Sequence, residues 1–198
     1  LLQLTADNIV AVARLSPSRT KDLCYMDVLS HPNPALKQIA QAVDPSSDTG
    51  LRELCKTMAK LMYEAPGVGL AAPQIGVLKR VIVYDVGDEK PGVIVLCNPA
   101  IIEHGEDTEV DDEGCLSLPG ISVAVERSTR VTCEALTLAG NPIRIEADGF
   151  HARLLQHEID HLDGMLIIDR ATPEERRAAL VRYREAREAG AKPGQTSI

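Results

Sequence analysis

The sequence predicts an α+β fold in which antiparallel β-sheets pack around a central helix bearing a His-Glu-x-x-His motif, with a further helix at the C-terminus. Three observations lead to it. Short β-branched runs such as Val81-Ile82-Val83-Tyr84 and Val93-Ile94-Val95-Leu96 are bounded by Gly, Asp and Pro, as buried strands are. The histidines of His157-Glu158-Ile159-Asp160-His161 stand four residues apart, about one helical turn. Thr172-Pro173-Glu174-Glu175 combines an N-cap Thr, a Pro at the first helical position and a Glu at the third, a strong helix start.

In chain order, residues 1–25 read as an N-terminal extension, broken at Ser16-Pro17-Ser18 from a main unit over 26–190, with 191–198 as a tail. His31-Pro32-Asn33-Pro34 excludes a continuous helix, because each Pro restricts the residue before it. Leu51, Leu54, Cys55, Met58, Leu61 and Met62 recur at intervals of three and four, predicting an amphipathic helix that stops near Pro66-Gly67. The stretch from Gly67 to Gln74 reads as a tight helix-to-strand connection. After the two β-branched runs, strands are expected near 100–104, 121–126, 130–138 and 142–147, with Gly140-Asn141 turning a hairpin between the last two. The Asp- and Glu-rich run from Glu103 to Glu113 reads as a solvated loop. The motif helix should start at Asp148 or Gly149 and end at Gly164, a natural C′ residue. The final helix extends to about Ala189, and its interleaved Arg and Glu suit a solvated surface.

With 44% hydrophobic and 25% charged residues over 198 positions, the chain suits one soluble globular unit. One Phe, four Tyr and no Trp leave the core to aliphatic side chains. A net charge of −8 argues against non-specific nucleic-acid binding, and no apolar run is long enough to span a membrane. Cys24, Cys55, Cys97, Cys115 and Cys133 form no Cys-x-x-Cys pair, which excludes a zinc knuckle and a thioredoxin-type motif and fits a reducing compartment. Leu1 to Val12 lacks a basic start and a long apolar run, so it makes a poor secretory signal; the remnant of a processed transit peptide is another reading.

Two imidazoles on one helical face can reach one metal ion, with Glu158 beside them to handle the proton of a metal-bound water. A surface helix with a His pair is the plainer alternative. A third ligand is needed for an open catalytic site. Glu185 and Glu188 lie in the charged terminal helix, and Ile167 stands where a metzincin would place a third His, so both familiar protease patterns fit badly. Cys115, in Glu113-Gly114-Cys115-Leu116-Ser117, is the better candidate, its neighbours small enough for close backbone approach. A buried, inert thiol is the competing reading. Gly67-Val68-Gly69 is no phosphate loop, since no Lys-Ser or Lys-Thr follows it. His31, His104 and His151 lack suitably spaced partners, and Asp160 and Asp163 could either orient the imidazoles or sit exposed on the helix.

Taken together, Gly67-Val68-Gly69-Leu70-Ala71-Ala72-Pro73-Gln74, Glu113-Gly114-Cys115-Leu116-Ser117 and His157-Glu158-Ile159-Asp160-His161 resemble the three signature motifs of the peptide deformylases, in the family's order, within a likeness running from about Met26 to Arg187. Pro73 fills a position that varies in the family, and the glycine after Leu118-Pro119 bears on subclass only. The resemblance implies that Cys115, His157 and His161 ligate the metal and that Glu158 is the general acid/base. It makes Gln74 and the backbone N–H of Leu116 the oxyanion donors, and Val68, Gly69 and Gly114 the backbone contacts to substrate. Glu113 and Arg127 look like the family's structural ion pair. Ferrous iron is the metal expected first, with zinc, nickel or cobalt able to substitute. The substrates implied are N-formyl-methionyl nascent polypeptides, met in a bacterial cytoplasm or in an organelle of bacterial descent, with a transient ribosome contact and no membrane. A general zinc metallopeptidase and a non-catalytic metal-binding protein are the competing functions.

Overall fold

The computed structural model describes residues 9–10, 27–87 and 92–193. Within the extension, only the strand β1 (Ile9–Val10) is described, and it pairs with the strand that follows residue 92. The rest of the extension, and the tail beyond residue 193, lie outside the described residues.

Helix α1 (Leu51–Glu64) buries Leu51, Cys55, Met58, Ala59 and Met62, the face set by three- and four-residue spacing. It ends one turn before Gly67, whose N–H donates to the Met62 carbonyl. The next strands are β2 (Gly69–Ala71), β3 (Val81–Tyr84) and β4 (Val93–His104). After them come β5 (Thr108–Gly114), β6 (Ser122–Ser128), β7 (Arg130–Leu136) and β8 (Pro142–Asp148). Strands β2, β3, β4, β7 and β8 lie side by side in that order, all antiparallel, with β1 added along β4. A separate two-stranded ribbon is formed by β5 and β6.

Period-two alternation distributes the core. Val81, Val83, Val93 and Val95 face α1, while Ile82, Tyr84, Ile94 and Leu96 face helix α2 (Gly149–Leu162), whose Ala152, Leu155, Ile159 and Leu162 complete that layer. The ribbon contributes Val123 and Val125 to a third cluster, closed by Ile167 and Ile168 of the short helix α3 (Ile167–Arg170) and by Ala179 and Tyr183 of helix α4 (Pro173–Glu188).

Four elements depart from the sequence expectations. Residues 93–104 form one strand rather than two, because Asn98 takes up the irregularity: it adopts a positive φ of 53°, the ladder register shifts there, and its side chain pairs with the Val43 N–H and C=O. The acidic run is not a loop but contains β5, held in register by seven residue pairs with β6 and exposed except near its end. The connection from Gly67 to Gln74 contains strand β2 and a 3-10 turn over Ala72–Ile75. Helix α4 starts on Thr172, whose side chain accepts from the Glu175 N–H, but it is not wholly solvated. Its Tyr183 is buried and donates to the His31 carbonyl. Among the described residues, no helix is long and apolar enough to cross a membrane.

Candidate active site

Helix α2 places His157 and His161 one above the other, their rings nearly perpendicular at 82° and their Nε2 atoms 3.2 Å apart. What sits on the far side of each ring fixes its orientation. His157 Nδ1 lies 2.9 Å from Glu113 Oε2, and His161 Nδ1 lies 3.1 Å from the Met165 carbonyl oxygen. That carbonyl can only accept, so His161 carries its proton on Nδ1, and the Glu113 carboxylate imposes the same tautomer on His157. Both Nε2 lone pairs therefore point at one another. The Met165 carbonyl comes within reach because the chain reverses at Gly164, with φ of 72°. There a Cβ would lie 2.8 Å from the Lys37 backbone.

Cys115, just past the end of β5, sets its Sγ 3.4 Å from His161 Nε2, and the three donor atoms lie within 4.8 Å of one another. Burial pushes the thiol up, but positive charge beside it, carried on His161 and His157, outweighs burial and holds the pKa at about 5. Two inward lone pairs and a thiolate this close repel one another unless a cation lies between them. The donor set accordingly fits a divalent metal that accepts nitrogen and sulfur.

Glu113 ties this group to the ribbon. Its carboxylate receives Arg127 through two parallel bonds of 2.9 and 3.0 Å, and Arg153 at 2.8 Å. Burial opposes ionisation, but the His157 and Arg127 contacts hold the carboxyl well below the usual carboxylate range. Arg127 also reaches Asp160 at 2.6 Å, and Asp160 in turn binds Arg170. Asp160 thus does not orient the imidazoles; Glu113 and Met165 do. Asp163 binds Arg80. Of the other histidines, His31 stacks edge-on against Tyr183, His104 contacts Ser128, and His151 lies 3.2 Å from the Tyr84 hydroxyl.

Glu158 is 3% exposed, and burial raises its pKa. Its Oε2 has no hydrogen-bond partner among the described residues. Gly69 faces its other oxygen so closely that a Cβ there would lie 2.3 Å from Oε1. Gln74 is oriented by the Ala71 N–H, which donates to its Oε1 at 2.8 Å. Its Nε2 therefore turns toward Ser117 Oγ at 3.3 Å and Cys115 Sγ at 3.8 Å.

These groups open on a cleft of about 250 Å³. Val68, Gly69, Gln74, Gly114, Cys115, Leu116, His157 and Glu158 line it, while His161 lies buried behind them. Leu154 lines it too. So do four residues that sequence reasoning missed: Asp111, Asp112, Phe150 and Arg153. Phe150, Arg153, Leu154 and His157 follow the spacing of one helical face, a signal that could have found two of them.

The fold and the donor set define a metal-dependent hydrolase. Residues 25–177 match the sequence profile of the polypeptide deformylase family. A peptide deformylase of Thermodesulfovibrio yellowstonii is 43% identical over 156 residues, covering 78% of this chain and 93% of that protein. One from Halothermothrix orenii is 49% identical over 138 residues, covering 70% and 88%. The crystal structure of a peptide deformylase from Legionella pneumophila superposes with a TM-score of 0.77 at 40% identity, over 84% of this chain and 97% of that one. The chain belongs to the peptide deformylase family.

Proposed function

We infer that this protein removes the N-formyl group from the amino-terminal formyl-methionine of newly synthesised polypeptides, the activity for which its family is named. The observation that carries the reading is the convergence of Cys115 Sγ and two Nε2 lone pairs beside the unpartnered carboxylate oxygen of Glu158, at the floor of a cleft.

Cys115, His157 and His161 would hold the ion. When bound, a divalent metal supplies a Lewis acid that lowers the pKa of a coordinated water from 15.7 to about 7. The remaining work falls to the chain. Glu158 accepts the proton of the attacking water on the oxygen that no other group occupies, then delivers it to the departing amine nitrogen. Its raised pKa suits it to the second task. Negative charge grows on the formyl oxygen, where Gln74 Nε2 and the Leu116 N–H donate, each contributing about 3–4 kcal/mol to lowering the barrier. Val68, Gly69 and Gly114 align the peptide through their backbone. Ferrous iron is our first choice of metal, as the family resemblance implies; a thiolate ligand is compatible with it, and zinc, nickel or cobalt would fit the same donors. We take residues 26–190 as the catalytic unit, nascent chains in a bacterial cytoplasm as the substrates, and the arginines of α4 as the point of any ribosome contact.

The test is hydrolysis of three peptides by ferrous-loaded protein kept free of oxygen: formyl-Met-Ala-Ser, acetyl-Met-Ala-Ser and unblocked Met-Ala-Ser. Only the first should react, because the extra methyl of an acetyl group crowds the carbonyl. Cleavage of the unblocked peptide would instead indicate a general metallopeptidase.

A further inference from the structure

The two donors assigned to the formyl oxygen, Gln74 Nε2 and the Leu116 N–H, stand far apart in the chain. To act together they must both fall within about 2.7–3.1 Å of one oxygen, so the spacing between their backbones matters. Residues 29–31 span that spacing. The Leu29 N–H donates to the Gln74 carbonyl at 2.7 Å, and the His31 N–H donates to the Ser117 carbonyl at 2.9 Å. Two residues of chain separate these N–H groups, a reach of at most about 7 Å. The Leu118 N–H closes the turn onto the Cys115 carbonyl at 2.9 Å, so a shift at Ser117 is passed to Leu116. Gln74 and Ser117 are both buried, which leaves no solvent to make good a contact that loosens.

Tyr183 of helix α4 holds the outer end of this bridge. Its hydroxyl donates to the His31 carbonyl at 2.7 Å, and its ring meets the His31 imidazole edge-on with centroids 5.9 Å apart. The ring is buried in the same apolar cluster as Cys115 and Leu118, against which Leu29 also packs. Gly120 is a second point where α4 closes on the turn. A Cβ there would lie 2.9 Å from Ala186 Cβ and 3.1 Å from Ala191 Cβ. A side chain that only filled this core would do as well without its hydroxyl. The hydrogen bond to His31 instead ties the helix to the backbone that spaces the two donors.

We propose that Tyr183 is a positioning residue: through the His31 carbonyl it fixes the distance between Gln74 and the Cys115–Ser117 turn, and so the fit of both donors to one oxygen. The proposal rests on the deformylase reading and deepens it. Removing the hydroxyl leaves the His31 carbonyl without its donor and frees the bridge to shift, while the ring keeps the packing intact. The loss should fall on the step in which charge builds on the oxygen, and the binding of the peptide should be spared.

The experiment measures kcat and KM for formyl-Met-Ala-Ser with ferrous-loaded full-length protein kept free of oxygen, comparing wild type, Y183F, T172A, Q74A and Q74A/Y183F. Y183F should lower kcat about tenfold, a part of the roughly 10²–10³-fold that losing a donor outright costs, with KM and metal content unchanged. T172A loosens the same helix at its cap and should lower Tm by about 2–4 °C, as Y183F should, yet keep the wild-type kcat. In Q74A, where one donor is already gone, adding Y183F should change kcat by a factor of about one, because there is no longer a pair to space. A wild-type kcat in Y183F, a rise in KM in its place, an equal fall in kcat for T172A, or a tenfold fall that persists in Q74A/Y183F would each overturn the positioning role while leaving the activity standing. Failure of the wild-type protein to hydrolyse the peptide would overturn the deformylase reading, and the positioning role with it.

Discussion

Glu158 Oε1 lies so close to position 69 that only a hydrogen atom fits there, and that single absence sets where the proposed proton shuttle can sit. Replacing Glu158 with Ala removes the shuttle and spares the three metal-binding groups. Metal content measured by elemental analysis should stay at the wild-type level, while deformylation drops on the order of 10³-fold. Metal loss like that of a His157→Ala variant would mean that Glu158 is a ligand or a scaffold element instead. Gly69→Ala probes the same carboxylate from outside. The new methyl must displace Glu158 Oε1 or Leu154, so kcat/KM should fall on the order of 10²-fold with metal content unchanged. Full activity would show that the carboxylate works from more than one position. The sequence pointed to the three convergent donor residues at this scale because helical spacing and a Gly-flanked Cys are local signals. It could not reveal what orients the rings. Glu113 lies 44 residues from His157, and the Met165 contact uses a main-chain carbonyl, which leaves no mark on side-chain pattern.

Elements were legible where one face is apolar and the other is not. The spacing of α1 and the Thr-Pro-Glu-Glu start of α4 match what formed. Strand β5 escaped notice because Glu109, Asp111 and Asp112 offer no apolar alternation; it exists because β6, with Val123, Val125 and Arg127 turned inward, supplies a partner ladder. Asn98-Pro99 likewise looks like a strand break, yet a side chain that pairs with Val43 carries β4 through it. The cap of α4 can be tested alone. Thr172→Ala removes the acceptor for the Glu175 N–H and should cost about 1 kcal/mol. In a chain of this size that lowers Tm by about 2–4 °C, measurable by calorimetry, with deformylation intact. An unshifted Tm would show that the packing of Tyr183 and Ala179, not the cap, fixes where the helix begins.

The molecule as a whole is held by charges that folding keeps ionised. Burial opposes ionisation of Glu113, Asp160 and Asp169, but each ends below its usual range. His157 and Arg127 act on the first, Arg170 and Arg127 on the second, Lys37 and Arg176 on the third. A carboxyl depressed on folding stabilises fully above its unfolded pKa of about 4, and that stability erodes as pH falls through the lower folded value. Urea midpoints should accordingly hold from pH 7 to about 5 and drop below about pH 4. Asp160→Asn should be less stable at neutral pH yet decline less steeply in acid, since one depressed carboxyl is gone. Parallel curves for the two proteins would mean that Asp160 does not contribute to acid sensitivity.

One carboxylate also governs how this protein is free to vary. Glu113 is shared by Arg127, Arg153 and His157, so no residue of that quartet has an effect belonging to it alone. Losing the acid leaves Arg127 with Asp160 alone and Arg153 with two backbone carbonyls; losing one arginine leaves the acid with the other. Costs of such changes do not sum, and coupling of about 0.5–3 kcal/mol is expected wherever partners are shared. A substitution at position 113, 127, 153 or 157 should therefore cost a different amount in each background of the other three.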